Sequence, residues 1–541
     1  MKKSIKLLTA LALCPAAFMM TSCIDETVPT NMVLQDELDN SPNSVSGMLM
    51  ALPASFNTLD ARTGNYTDYA FGYGGLMHIR DVETEDMAIA FSDYDHFQPW
   101  EMLDQMGDNM ARTQWLWNYQ YEVILSCNKL IAAVKAKDER DELDLGALGA
   151  AYAQRAALYL DLAREYEFLP NEKFSGTNSD GNNVTNYTVP IVTDETTEED
   201  TKNNPRVDRE TMAKFIENDL DSAYKYIDYL DNNATYATNR TLPHKDVVCG
   251  LYARLYMWTG SYQDAYNYAQ EAITTTTTTP TELTDCFPVE GNQVYPTPLS
   301  TCFNTLATNK WMWGVSQTAE NSTVTSGILN WTSWMSPEYS GGYASAGAAP
   351  CIYAPMYNRI DPSDWRQLFW KADDLIHPYV SQKFQPNEGN TTTATVACAA
   401  AYPLMRIEEM YFIRAEAAVH VYGATAGKTL LEQFMSEYRA LFGTYTCTAT
   451  TDDAVIEEII FQKRVELWGE GQTFFDIKRL NYSVDRTQEG SNFFDDARFK
   501  TSGRPAWMNW VIVMTEENSN NALIGWNNPD PTGSYTPVAG N

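Results

Sequence analysis

Apolar residues recur every three or four positions in several separated stretches of the chain, the period at which a helix buries one face and leaves the other wet. Residues 115–135 and 145–166 predict two long helices on this pattern. In the second, Leu148, Tyr152, Tyr159 and Leu162 share one face, while Ala150, Ala153 and Ala157 line an edge that lets a neighbour approach closely. Residues 209–230 predict a further helix with Met212, Phe215, Ile216 and Leu220 inward. The clearest pair follows. Val248, Leu251, Leu255 and Trp258 stripe one helix, "TGSY" turns the chain at Gly260, and Tyr262, Ala265, Ala269, Ala272 and Ile273 stripe the next. Two more pairs are expected at 404–422 with 429–442 and at 453–468 with 473–481.

A lone hairpin of this kind cannot bury its apolar faces, so stacking on neighbours is expected, in the manner of helix-pair repeats of the tetratricopeptide type. Between the pairs lie long stretches without sustained period. Residues 171–206 are rich in Asn, Thr, Gly and acid, 274–310 open on a threonine run, and 311–400 mix Trp, Tyr, Gly and Pro. Loops of this length inside a folded protein tend to carry function. The last 60 or so residues, with their Asn, Gly and Pro, predict surface coil with a short strand near 510–514.

Composition narrows what such a chain can do. With 541 residues, 44% of them hydrophobic, it can bury a sizeable core. Its 71 Asp and Glu against 38 Lys and Arg give a net charge of −33, which repels phosphate backbones, so nucleic acid is not an expected partner. Aromatics reach 12%, with 14 Trp and 32 Tyr, which raises the expectation of aromatic surface. The first residues set the compartment. Lys2, Lys3 and Lys6, a short apolar run over 7–20, and "MTSC" ending at Cys23 have the shape of a bacterial lipoprotein signal, with 1–22 as the leader and Cys23 as the lipidated residue. No later stretch approaches 18 apolar residues, so lipid alone is the expected tether.

Candidate chemistry is sparse. Cys127, Cys249, Cys286, Cys302, Cys351, Cys398 and Cys447 show no CxxC pair; Cys127 and Cys249 fall in helical patterns as small core residues, and Cys286 with Cys302, flanking a Pro-rich loop, is a candidate disulfide. The histidines at 78, 96, 244, 377 and 420 have no ligand-like spacing, so neither a metal nor a cofactor is expected. There is no GxSxG and no phosphate-cradling glycine loop. In "RVELWGEGQTFFDIKRL", the charges Arg464, Glu466, Glu470, Asp476 and Arg479 are expected to form an ion-paired network that fixes the angle between two helices around Gly469 and Gly471.

That stretch resembles the C-terminal signature of the SusD/RagB family of Bacteroidetes outer-membrane lipoproteins, carried on Arg464, Glu466, Glu470, Gly471, Phe475, Asp476 and Arg479, with Gln472 where a His is usual and Trp468-Gly469 in place of a more apolar pair. Upstream, "YPLMRIEEMYFIRAEAA" resembles the family through Pro403, Arg406, Glu409, Ala415, Glu416 and Ala417. Trp117, Tyr121, Ile124 and Asn128 resemble its first repeat helix, and Arg155-Ala156 with Tyr159 the second. "VPIVT" at 189–193, then Arg206, Phe215, Ile216, Asp219, Leu220 and Ala223, follow in the family's order, so the resemblance covers nearly the whole chain after the leader.

The resemblance implies a mostly α, SusD-like platform of four tetratricopeptide-like pairs with a large irregular ligand-binding face, divided here into 23–310 and 311–541. It implies a non-catalytic lipoprotein on the outer surface of the outer membrane, toward which Asp25 and Glu26 after Cys23 also point. Such a protein captures a glycan, or in the RagB branch a peptide, and acts as a lid on a SusC-like TonB-dependent transporter. Glycan capture needs aromatic faces beside hydrogen-bonding side chains. Tyr73, Arg80, Asp81 and Trp100 in the loops "GYGGLMHIRDVETEDM" and "DYDHFQPW", and Trp311, Trp313, Trp331, Trp334, Tyr339 and Tyr343 in the middle stretch, are the candidates, with Trp331 and Trp334 foremost. Arg80 has Glu83 and Asp86 as alternative partners, and "DVETED" could also be a solvated or cation-binding acidic loop. A peptide-capturing lipoprotein and a secreted glycoside hydrolase stand as the alternatives.

Overall fold

The computed structural model describes residues 44–539 apart from 61–68, 93, 325–326 and 442. The leader and the lipidation candidate Cys23, with Asp25 and Glu26, lie outside the described residues. Val45–Asn541 form one compact unit.

The helices used below are α1 (Gly72–Val82), α2 (Ala111–Lys135), α3 (Glu142–Tyr166), α4 (Arg209–Tyr226), α5 (Lys245–Thr259), α6 (Tyr262–Thr275), α7 (Trp331–Met335), α8 (Ile407–Tyr422), α9 (Ala424–Tyr438), α10 (Asp452–Glu466) and α11 (Thr473–Leu480). Each long helix packs on the next in the order α2, α3, α4, α5, α6, α8, α9, α10, with α8 also against α10. This is the expected tetratricopeptide-like stack. The stripes read from the sequence face inward: Val248, Leu251, Leu255 and Trp258 of α5 and Ala265, Ala269 and Ala272 of α6 are buried. Gly260 closes α5 in the left-handed conformation (φ 81°), and its N–H returns to the Tyr256 carbonyl. On α3 the backbone of Ile227 and Leu230 comes so close that a Cβ at Gly149 or Gly146 would sit 2.8 Å from an amide nitrogen. Only glycine fits there. Asp141 caps α3, Asp208 caps α4 and Thr451 caps α10 through side-chain bonds to backbone N–H groups.

The irregular face is built on two small sheets. β1 (Met87–Ile89), β3 (Pro350–Ile352), β5 (Val380–Ser381) and β4 (Trp370–Lys371) form an antiparallel sheet in the order β1-β3-β5-β4. β2 (Trp311–Ser316) pairs antiparallel with β6 (Ala401–Arg406), and β6 leads straight into α8. The expected boundary at 310/311 runs through the unit, because α6 packs on α8 across it. The C-terminal stretch also differs from expectation. Residues 510–513 form no strand, and Trp507, Met508, Trp510, Val511, Ile512 and Val513 are buried, since the Trp507 and Trp510 indoles donate to the carbonyl and carboxylate of Glu83.

The charged hinge between α10 and α11 is ion-paired as expected. Glu466 meets Arg439 at 2.7 Å, Arg406 at 3.0 Å and Arg366 at 3.1 Å; Glu470 meets Lys383 at 2.6 Å and Arg406 at 2.9 Å. Burial pushes the Glu466 carboxyl up, but the guanidinium groups of Arg439, Arg406 and Arg366 outweigh it and hold the group well below the usual carboxylate range. Gly469 and Gly471, at φ 75° and 66°, supply the turn. "DVETED" is neither solvated nor cation-binding: Arg464 holds Glu85 (2.7 Å) and Asp86, Asp81 accepts the Gly471 N–H at 3.0 Å, and Asp81, Glu83, Thr84, Glu85 and Asp86 are buried. The seven described cysteines are free and buried, with Cys286 beside Cys302.

Candidate functional site: an aromatic ledge beside β1

The nine residues picked from sequence as glycan contacts, and Tyr343 with them, all lie inside the protein at 7% exposure or less. Trp331 and Trp334 sit on α7, a short helix capped by Asn330 and buried along its length. Trp331 stacks on Tyr402 (4.9 Å between centroids) and meets Phe384 edge-on, while Trp334 meets Phe97 edge-on at 5.3 Å. Trp311 and Trp313 are held by the β2–β6 ladder, Trp313 donating its indole N–H to the Thr241 carbonyl at 3.1 Å. Tyr339 packs on Ala397 and Cys398, and Trp100 on Tyr69 at 5.0 Å. Arg80 pairs with Glu165 (2.6 Å) and Asp161 (2.9 Å) rather than with Glu83 or Asp86, and the Tyr73 hydroxyl bonds Asp161. The lack of helical period around the tryptophans did not mean exposure. Irregular backbone packed on other irregular backbone buries them instead.

Exposed aromatic surface occurs a few residues away. β1 runs out of its sheet through Ala90, whose N–H bonds the Ala349 carbonyl at 3.0 Å, and the next turn presents Phe91, 59% exposed, and Tyr94, 46% exposed. Phe494 meets Phe91 edge-on at 5.3 Å, and Tyr94 lies 5.4 Å from the rings of both His96 and Tyr343. The turn is anchored from below. The Asp95 carboxylate accepts the Phe97 N–H (2.9 Å) and the Tyr343 hydroxyl (3.1 Å), His96 donates its N–H to the Tyr343 oxygen, and the Tyr343 N–H reaches the Ser333 hydroxyl of α7 at 2.7 Å. Burial raises the Asp95 carboxyl to about 6, the Phe97 N–H and Tyr343 hydroxyl acting against it. So α7 holds the ledge from beneath without touching solvent itself.

At the opposite end of the same sheet, where β4 turns into β5, Leu375 and Ile376 are 100% and 80% exposed, while Tyr379 packs with Ala90 on Ala349, Cys351 and Val380. Single exposed apolar residues mean little, but Phe91 and Tyr94 stand exposed on one anchored turn. In "DYDHFQPW" the candidate was Trp100, which is buried, and the signal for exposure is the interruption of Phe91 and Tyr94 by Ser92 and Asp93, with Asp95 following, a pattern that no buried helix or strand face would carry.

Other cavities fit a sugar less well. A closed cavity of about 30 Å³ among Arg164, Arg254, Lys463, Gln472 and Lys478 has room for about one water. A groove of about 650 Å³ beside α4 and the end of α5 is lined by Asp208, Arg209, Lys214 and Glu217, and its one ring, Tyr256, stacks on Tyr252 and Tyr268. Among the described residues no group of His, Cys, Asp and Glu could hold a metal ion, and no helix is long and apolar enough to cross a membrane.

Residues 377–538 match the model of the SusD family. No curated protein matches the sequence. Solved structures share the fold. A SusD-like carbohydrate binding protein from Bacteroides vulgatus superposes with TM-score 0.69 at 20% identity, over 89% of this chain and 96% of its own. A SusD superfamily protein from Bacteroides thetaiotaomicron gives 0.66 at 18% identity, over 88% and 98%. Surface glycan-binding protein A from Bacteroides uniformis gives 0.63 at 16% identity, over 90% and 99%. At these identities the likeness is one of fold. The family match over residues 377–538 and the fold shared along nearly nine tenths of the chain both point to a SusD-like architecture.

Proposed function

We propose that the protein is a non-catalytic, surface-exposed outer-membrane lipoprotein that captures an oligo- or polysaccharide on the Phe91–Tyr94 ledge and passes it to a SusC-like TonB-dependent transporter. The observation that carries the reading is the exposed pair of rings on an anchored turn, since the C–H faces of a sugar stack on aromatic faces while neighbouring polar groups orient its hydroxyls. Solved structures of the same fold include one named carbohydrate binding and another named surface glycan-binding, which supports the ligand class. The leader and Cys23 support the lipid anchor.

The test is a screen of the protein lacking its first 23 residues, by affinity gel and calorimetry, against starch, mucin O-glycans, plant glycans, fructans and a peptide digest, with release of reducing ends monitored. Binding of a glycan without release, lost in Phe91→Ala and Tyr94→Ala, is the expected result. Release of new ends would make the protein a hydrolase, and binding of peptides alone would make it a peptide-capturing relative.

A further inference from the structure

We infer that Cys286 and Cys302 become joined by a disulfide when the chain is exported, which makes residues 287–301 a stapled loop. This rests on the export reading above, since structural disulfides form and persist outside the reducing cytoplasm. Three separate contacts bring the two residues together. Leu299 donates its N–H to the Cys286 carbonyl at 2.7 Å and accepts the Cys302 N–H at 3.0 Å, so one residue ties both ends of the loop. Each cysteine is followed by a phenylalanine, and Phe287 and Phe303 both meet the Phe369 ring, each at 5.6 Å between centroids. The Cys286 and Cys302 thiols are themselves in hydrogen-bond contact, and the Cys302 thiol also donates to the Lys383 carbonyl at 3.4 Å.

The loop between them is lightly held. Residues 288–301 are exposed or part-exposed throughout, and their fixed points are a short antiparallel pairing of Val289–Glu290 with Gln293–Val294 and the Gln382 amide, which donates to the Pro296 carbonyl at 2.9 Å. The two cysteines, in contrast, are buried. A covalent link at such a pair of ends removes the freedom of the loop to open in the unfolded chain. Forming it breaks two S–H bonds and makes one S–S bond, while the two protons and two electrons pass to an external disulfide, which is reduced to two thiols. One cysteine thiolate attacks that disulfide, and the second then displaces it from the mixed disulfide. Burial raises the Cys302 thiol well above its ordinary range, with Cys286 adding to the rise and Lys383 acting against it, so the folded chain holds little thiolate. The exchange therefore belongs to folding, before the pair is enclosed.

Peptide mapping tests this. The full chain is expressed with its leader, recovered from the cell envelope, alkylated without reduction and digested with a protease that cuts after Glu290, between the two cysteines. The expected result is a peptide carrying Cys286 joined to a peptide carrying Cys302 until a reductant parts them, with the two separate in Cys286→Ser. The chain lacking its first 23 residues, refolded from denaturant with oxidised glutathione, is expected to give the same joined pair. Alkylated thiols at both positions in a chain whose leader has been removed would overturn the disulfide and leave the export reading standing, as would a link from either position to another cysteine. A chain that keeps its leader would overturn the export reading and, with it, a disulfide formed on export.

Discussion

Two segments of the chain separated by one three-residue strand, 80–86 and 90–97, show that residue type alone does not decide which part of a protein faces its ligand. The first carries Arg80, Asp81, Glu83, Glu85 and Asp86 and is wholly buried. In the second, Phe91 and Tyr94 are exposed while Asp95 and Phe97 are buried beneath them. Charge lies inside and aromatic surface outside, the reverse of the usual partition. The inversion holds because partners from distant sequence meet every charge of the first segment. Arg464 and Arg486 come from the C-terminal third, Asp161 and Glu165 from α3, and Trp507 and Trp510 from the C-terminal stretch. Tyr343 and Phe494 pack against the second segment, and the Phe91 and Tyr94 rings remain exposed.

If that account holds, the largest damage comes from removing the centre of the ion-paired interior. Glu466→Ala leaves Arg366, Arg406 and Arg439 without their shared carboxylate in a buried setting, and should cost about 3–5 kcal/mol of stability in denaturant unfolding. An unchanged midpoint would mean that water reaches these guanidinium groups and that the inside of the hinge is less dry than its geometry indicates. Trp331→Ala comes next. It empties a packed site between Tyr402 and Phe384 and should cost about 3–5 kcal/mol, with any loss of glycan binding following the loss of fold. A stable Trp331→Ala protein that specifically lost binding would move the site from the ledge to α7.

How far the sequence led depends on range. The helical stripes and the Gly260 turn were legible because each is set by residues within a few turns of one another, and the charged hinge was legible from its own run of charges although its partners Arg366, Lys383, Arg406 and Arg439 come from farther away. The burial of Trp331, Trp334, Trp311 and Trp313 was not, because their neighbours, Tyr402, Phe384, Phe97 and Phe56, come from remote loops with no common period. Arg80 shows the same thing at the level of one charge. The nearby acids expected as its partners, Glu83 and Asp86, are held by others, while its own lie on α3, 81 and 85 positions away. The ledge was half legible: Tyr94 lay within a stretch singled out from the sequence and Phe91 lay just outside it, while Trp100 was chosen and the polar interruptions carried the information.

The ledge variants are expected to change binding and leave the fold alone. Phe91→Ala and Tyr94→Ala should alter unfolding by no more than about 0.5 kcal/mol, while each weakens glycan binding by about 1–2 kcal/mol, roughly ten-fold. The contrast with Trp331→Ala is the sharpest form of the comparison: one aromatic holds the fold, and the other, on the proposed function, meets the ligand. Calorimetry of the variants beside their melting curves separates the two effects.

A pH-dependent effect belongs to Glu101, where the buried and exposed halves meet. Its carboxylate oxygen accepts the Ile89 N–H of β1 at 3.1 Å, its other oxygen has no partner, and burial, with Asp95 adding to it, raises its pKa to about 8. The folded protein thus keeps a proton that the unfolded chain releases near pH 4.5. Over that interval the native state binds more protons than the unfolded one, so stability falls as pH rises from the ordinary glutamate range to about 8 and is flat beyond. Glu101→Gln keeps the shape and the acceptor and cannot ionise. It should match the wild type near pH 4, where both are uncharged, and exceed it increasingly up to about pH 8, with most of the difference in melting temperature already present near pH 7 and the largest above pH 8. Parallel curves for the two proteins across that range would mean that Glu101 is already ionised in the fold, and that the floor of the ledge is wetter than the exposed aromatic turn above it suggests.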